Sequence, residues 1–224
     1  VTDRVAAKIS TLEAPPDVLA VFPLPAAPPL YELTGPARGA ASTPARGAAS
    51  TPGAEAARGS GASAAAAGGA TPAGALVVYA DRVADPGNMG TLVRAAAAFG
   101  AAALAASPGS VDLYAPKVVR AGMGAAFALP LYPEIALDEL VARTGIVDVY
   151  GLVAHDGDDL ATAELSRPAV LCVGAERAGL SPESLAAVTR RLTIGLAPEA
   201  AGTVESLNAG VAGAVALYEF SRKG

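Results

Sequence analysis

Asp85-Pro86-Gly87-Asn88-Met89-Gly90-Thr91-Leu92-Val93-Arg94 lies between the apolar run Leu76–Ala80 and the alanine-rich stretch Thr91–Phe99, which stops at Gly100. The run reads as a buried strand and the stretch as a helix, so the glycines mark a strand-to-helix junction. That is where α/β proteins place ligand sites. Glycine lets the backbone turn tightly, and the first amide groups of a helix are free to meet an anion. The glycines read GxxG, a poor match to the GxGxxG of a dinucleotide site. Arg94 is expected in the first or second turn, where the helix dipole disfavours a cation. It is therefore a candidate site residue, the plain alternative being a surface arginine beside a structural turn.

Downstream, Ala101–Ala106 reads as a second strand, Pro116–Met123 as a helix, and Phe127–Leu131 and Val147–Val153 as further strands. Pro168–Val173 is a stronger strand, with its proline at the start where a missing N–H is tolerated. Ser181 then caps a helix carrying Pro182 in its first turn. Leu192–Ile194 is a short strand. A final helix from about Ser206 puts Leu207, Val211, Ala214 and Tyr218 on one face. Strands alternating with helices predict an α/β domain over residues 76–224, a parallel sheet flanked by helices.

Upstream, composition changes. The unit Pro-Ala-Arg-Gly-Ala-Ala-Ser-Thr occurs at 36–43 and again at 44–51, inside an Ala-, Gly-, Ser- and Pro-rich stretch. Nothing in 34–75 can offset the entropy of ordering, so a flexible linker is expected. Residues 1–33 hold one apolar run, Val18–Phe22, which reads as a single strand unable to bury its own faces.

Hydrophobic residues make up 52% of the chain, but many are alanine and aromatics are 4%, so the core must rest on Val, Leu and Ile. The one cysteine, Cys172, excludes an internal disulfide and a cysteine-cluster metal site, and its apolar neighbours predict an inert buried thiol. No metal site is expected. No signal-like or membrane-length apolar segment is present, so a soluble cytoplasmic protein is expected. The net charge of −5 weighs against a broad nucleic-acid surface but leaves room for a small one.

Two more segments carry chemistry. Leu171-Cys172-Val173-Gly174-Ala175-Glu176-Arg177-Ala178-Gly179-Leu180 is again a strand ending in a glycine-rich loop, with Glu176 at the strand's edge. In Val204-Glu205-Ser206-Leu207-Asn208-Ala209-Gly210, both Ser206 and Asn208 are helix-start residues, and capping accounts for only one of them.

The three segments together resemble the SpoU/TrmH family of RNA ribose 2′-O-methyltransferases, of the SPOUT superfamily. The family's first motif appears as Asn88, Gly90 and Arg94, its second as Gly174, Glu176, Gly179 and Leu180, its third as Ser206, Leu207 and Asn208. Tyr114–Gly124 is also similar to a recurrent family segment. The resemblance covers about residues 74–222.

It implies a C-terminal trefoil knot, S-adenosylmethionine as cofactor, and a homodimer whose site is completed across the interface. Gly174, Ile194, Gly195, Leu196, Ser206 and Leu207 would hold the cofactor, and Arg94, Asn88, Glu176, Ser206 and Asn208 would form the catalytic group. Arg94, Lys117 and Arg120 would contact RNA. Residues 1–33 would be the remnant of a small α/β RNA-binding domain, which favours ribosomal over transfer RNA as substrate. A non-catalytic knotted RNA-binding protein is the alternative from another class. Where the family usually has Ile-Pro-Met, this chain has Ile194-Gly195-Leu196, and the following stretch 197–203 is longer than typical.

In this family the arginine matching Arg94 has been proposed as the base. A guanidinium stays protonated, with a pKa above about 12. Arg94 is therefore expected to stabilise the developing alkoxide and grip a phosphate, fixed by a charge-assisted bond to Glu176. Asn88, Ser206 and Asn208 would orient it and the ribose. His155, in the acidic stretch 154–159, is expected to be solvated, since neither a calcium loop nor a hydrolase elbow fits around it. Tyr218 is expected in the core or at a dimer interface.

Overall fold

The computed structural model describes residues 26–30, 74–200 and 203–223. The expected strand Val18–Phe22 and nearly all of the expected linker lie outside these.

The elements run β1 (Leu76–Asp81), α1 (Pro86–Ala98), β2 (Ala103–Ala106), α2 (Pro116–Ala121), β3 (Leu131–Tyr132) and α3 (Leu137–Thr144). They continue with β4 (Asp148–Leu152), β5 (Asp158–Asp159), β6 (Ala169–Gly174), α4 (Pro182–Ala187), β7 (Arg190–Thr193) and α5 (Ala209–Lys223). The strands form one sheet in the order β3-β2-β1-β6-β4-β7-β5. Every pairing is parallel, as the alternation of strands and helices predicts.

The central strands β1 and β6 are buried along their whole length, which is why they read as continuous apolar runs. Leu76, Val78 and Ala80 turn one face of β1 toward α1, α2 and α5, where Leu92, Val118, Leu217 and Phe220 complete a core. Val77 and Tyr79 turn the other face toward α3 and α4, with Leu137, Leu140 and Leu180. Leu30 is buried on this second face, and Tyr132 Oη donates to Pro28 O at 2.6 Å.

Helix α3 and strand β5 have no counterpart among the expected elements, and four others differ from expectation. Helix α1 begins at Pro86, five residues before Thr91, because Asp85 caps it and accepts the Asn88 N–H at 2.8 Å. The glycines therefore sit inside the helix. A Cβ on Gly90 would lie 2.4 Å from Ala121 Cβ, so this glycine serves the close approach of α2 and not a turn. Arg94 is consequently the ninth helical residue, beyond the first turns, and the dipole argument for it falls.

The strand expected at Phe127–Leu131 is a 3-10 turn over Ala125–Phe127 followed by the two-residue β3. Helix α2 stops at Ala121, since Met123 and Gly124 both take positive φ.

Helix α5 starts at Ala209, and its buried face carries Ala209, Gly213, Ala216, Leu217 and Phe220. Of the expected stripe, Val211 and Tyr218 lie on the outward side, 47% and 48% exposed, while Ala214 is partly buried against the core. Tyr218 rests edge-on against Phe99, the residue after α1. At its far end α5 is pinned: Arg167 Nη2 donates to Phe220 O at 2.7 Å, and Lys223 Nζ donates to the carbonyls of Leu160 and Ala161.

Candidate active site

All strands point the same way, so the loops after β1, β4, β6 and β7 open at one edge of the sheet. A parallel sheet is expected to bind its ligand there. A cleft of about 530 Å³ lies at this edge, within the roughly 300–1,000 Å³ of small-molecule sites. Its apolar lining comes from Leu152 at the end of β4, Val173 on β6, Ile194 after β7, Leu196 and Leu207. Glu176, Arg177, Glu205 and His155 supply charged or titratable groups at the same cleft.

One wall is the loop after β6. Ala175 N donates to Gly179 O at 3.1 Å and Gly179 N to Ala175 O at 2.8 Å, closing the loop on itself. A Cβ on Gly174 would stand 2.2 Å from the Gly179 carbonyl carbon, so only glycine lets the loop fold this tightly. Gly179 takes a φ of +66°, the second conformation that the closure requires. Buried Asp81, at the end of β1, accepts the Ser181 amide at 2.7 Å and ties the loop's far end to the sheet. Ser181 then caps α4 as expected, accepting the Ser184 N–H at 3.1 Å.

The three sequence motifs meet at Asn208. It occupies the N-cap position of α5, where its Oδ1 accepts the Val211 N–H at 3.2 Å. That bond fixes the amide's orientation and turns Nδ2 toward the site. Nδ2 donates to Asn88 Oδ1 at 2.8 Å and, through a short contact, to Glu176 Oε1. The expectation that capping would explain only one of Ser206 and Asn208 holds in a specific way. Asn208 caps the helix with its oxygen and serves the site with its nitrogen, while Ser206 lines the cleft.

Glu176 therefore pairs with Asn208, where a bond to Arg94 was expected. Among the described residues Arg94 has no ion pair or hydrogen bond, and it is exposed on α1 six residues beyond Asn88. At about 1.5 Å of rise per residue this puts it roughly 9 Å further along the helix axis. It lines neither the cleft nor the smaller cavity beside it.

Of the residues expected to hold a cofactor, Gly174, Ile194, Leu196, Ser206 and Leu207 line the cleft and Gly195 does not. Lys117 and Arg120 are exposed on α2, away from both cavities.

His155 was expected only to be solvated. It is exposed, but it also lines the cleft with Leu152, Val153 and Ala154. The signal available in sequence was its position just past the C-terminal end of β4, the sheet edge that carries the other motifs. Among the described residues no group of His, Cys, Asp and Glu is placed to hold a metal, and no helix is long and apolar enough to cross a membrane.

This arrangement has counterparts among known proteins. Residues 75–218 match the SpoU rRNA Methylase family. The chain is 35% identical over 156 residues to a 23S rRNA (uridine(2479)-2′-O)-methyltransferase of Streptomyces viridochromogenes, covering 66% of this chain and 53% of that protein. It is 33% identical over 154 residues to an uncharacterized tRNA/rRNA methyltransferase of Synechocystis, covering 68% of this chain and 55% of the other. The chain thus spans about half the length of the curated relatives it matches. Among solved structures, the SpoU methyltransferase AviRb of Streptomyces viridochromogenes, crystallised with AdoMet, superposes with a TM-score of 0.60 at 32% identity. That match covers 67% of this chain and 60% of AviRb. The family match spans the whole described sheet, from β1 into α5, and includes all three motifs that converge on Asn208: the chain belongs to the SpoU rRNA methylase family.

Proposed function

We propose that the chain transfers the methyl group of S-adenosylmethionine to a ribose 2′-hydroxyl of RNA, ribosomal RNA in preference to transfer RNA. The observation that carries this reading is the Asn88–Asn208–Glu176 cluster set at the rim of the apolar cleft. The cleft's chemistry fits the cofactor: apolar walls for an adenosyl group, loop backbone for its polar edges, and carboxylates of Glu176 and Glu205 toward a cation. Gly174, Ile194, Leu196, Ser206 and Leu207 would hold it. When bound, it supplies an electrophilic sulfonium methyl group.

The protein's own contribution is positioning and management of the hydroxyl proton. Asn208 spends both amide hydrogens on Asn88 and Glu176, so it is a positioning residue. The second Glu176 oxygen is left to accept the ribose hydroxyl, and the Asn88 amide nitrogen is left to donate to the ribose.

Arg94 does not contact this cluster in its own chain, so we infer that it acts in a second copy of the protein. The exposed stripe of Val211, Val215 and Tyr218 on α5, with Arg94 exposed on the neighbouring α1, supports a homodimer through these two helices. In that setting the guanidinium would stabilise the developing alkoxide and grip a phosphate.

The chain path supports the trefoil knot: β6 inserts between β1 and β4, and α5 returns from the far strand β7 to pack on α1. Residues 1–33 as an RNA-binding remnant, 34–75 as a linker and a cytoplasmic setting complete the proposal. The relatives' ribosomal RNA substrates favour that RNA. The test is transfer of tritiated methyl from S-adenosylmethionine to unmodified ribosomal and transfer RNA, with mapping of the alkali-resistant linkage. Label in base instead of ribose, or in neither RNA, would refute it.

A further inference from the structure

We propose that the smaller cavity beside the cleft is a binding site for an RNA backbone phosphate, with Arg82 and Arg177 as its ligands. The proposal rests on the RNA-methylating reading above and adds the place where the strand is held next to the methylated ribose.

This cavity, of about 300 Å³, is bounded by Arg82, Asp85 and Asn88 on one side and by Glu176 and Arg177 on the other. The loop 175–178 that forms its wall also forms a wall of the larger cleft. A ligand here is therefore one loop's thickness from the cofactor cleft, beside the Asn88–Asn208–Glu176 cluster.

Every carboxylate around the cavity already has a protein partner: Asp85 accepts the Asn88 N–H, Glu176 accepts from Asn208, and Glu183 pairs with Arg82 at 3.2 Å. The guanidinium groups are not used up. Each has five N–H donors. Arg82 engages Glu183 through Nη2, and Arg177 has no hydrogen bond or ion pair among the described residues. Unused guanidinium donors thus face the cavity from both sides, from Arg82 and from Arg177, and they match a ligand that brings negative charge and acceptor oxygens, as a phosphodiester does.

The backbone points the same way. Arg82 holds a φ of +54°, a left-handed conformation that a residue with a side chain rarely takes. Its amide is fixed there by a 2.8 Å bond to Ser107 Oγ. Such conformations concentrate at functional sites. Among the described residues no aromatic side chain lines the cavity, so a stacked base is a poorer occupant than backbone. With a net charge of −5 the chain has no diffuse attraction for RNA, and local guanidinium ligands must supply it.

The experiment measures binding of a labelled oligouridylate of about 12 nucleotides, within the site sizes of single-strand grooves, by anisotropy over a salt series. Calorimetry with S-adenosylmethionine runs in parallel. The variants are Arg177→Ala, Arg177→Lys and Arg82→Asn, the last chosen because asparagine accepts left-handed backbone. Each lost phosphate contact should lower the salt slope by about 0.7, and thus weaken binding about fivefold at 0.1 M salt. Arg177→Lys should keep the slope, and Arg82→Asn, which lies outside the cofactor cleft, should leave cofactor affinity unchanged. An Arg82→Asn, Arg177→Ala double variant with the wild-type slope overturns the site, as does weakening that is independent of salt, which would indicate a stacked base. If the wild-type protein methylates RNA and the variants match it, only this site falls. If the wild-type chain binds no RNA and transfers no methyl, the methyltransferase reading falls and takes the site with it.

Discussion

Replacing Asn208 separates the two tasks that its side chain performs. Asn208→Ser keeps a capping oxygen for the Val211 N–H but is too short to reach Asn88 and Glu176 together. Asn208→Ala loses both tasks. Loss of an N-cap costs about 1 kcal/mol. The bond to Glu176 is exposed, so its loss is at the low end of charged hydrogen bonds, about 1 kcal/mol after solvent screening. Asn208→Ser should therefore destabilise by about 1 kcal/mol and Asn208→Ala by about 2. At roughly 2–4 °C per kcal/mol for a domain of this size, Tm should fall by about 3 °C and 6 °C.

Activity should not follow stability. Both variants free Glu176 and Asn88 from their shared donor, and a shift of about 1 Å in a positioned group can cost about 100-fold. Both should lose about that factor in kcat, with cofactor affinity changed far less. The measurements are thermal unfolding, calorimetry with S-adenosylmethionine, and methyl transfer to unmodified ribosomal RNA. If Asn208→Ser transfers methyl at the wild-type rate, the donor bridge is irrelevant and Asn208 is only a helix cap.

Mixing Arg94→Ala with Asn208→Ser tests whether Arg94 works across a dimer. Random pairing gives half heterodimers, each with one intact composite site, so activity should return to about a quarter of wild type; no recovery would place Arg94 in its own chain's site. Gly90→Ala would drive a methyl group into Ala121 and the Val118 carbonyl, and overpacking of this kind costs about 1–3 kcal/mol. A urea midpoint equal to wild type would show that α2 can simply move. Burial, and then Asp81, push the Cys172 thiol far above its ordinary range. The folded state thus holds this proton more tightly, and the stability it contributes is present below about pH 8.5 and is lost as pH rises beyond it. The urea midpoint should fall on the alkaline side in wild type and fall less in Cys172→Ala, and equal slopes would count against the burial argument.

The sheet was legible because β1 and β6, buried on both faces, carry the unbroken apolar runs Leu76–Ala80 and Ala169–Val173, with turn residues between them. The start of α1 was not. Pro86 and Asp85 are a helix start by the usual rules, but Gly87 and Gly90 look like turn residues until α2 is seen packed against Gly90. Helix α5 misled in the opposite way. Its large side chains Val211 and Tyr218 trace a helical stripe, while the face that meets α1 is built from Gly210 and Gly213, whose packing a hydrophobic pattern does not register. At the site, the three motifs were legible as motifs. Their junction was not, because Asn208 could be assigned to cap or site from spacing but not to both. His155 was missed since a lone histidine among aspartates carries no pattern of its own.

The bond between Asn88 and Asn208 joins residues 120 apart in the chain, and β6 must settle beside β1 across more than half the described domain. Contacts so distant in sequence form slowly, since a long loop has to close before they contribute. The early segment β1–α1–β2 can approach its final shape alone, but one half of the amide bridge arrives only with the last helix. Assembly of the proposed catalytic cluster is therefore a late event in the folding of this protein. On refolding from denaturant, secondary structure should return first and methyl transfer last, in step with the docking of α5.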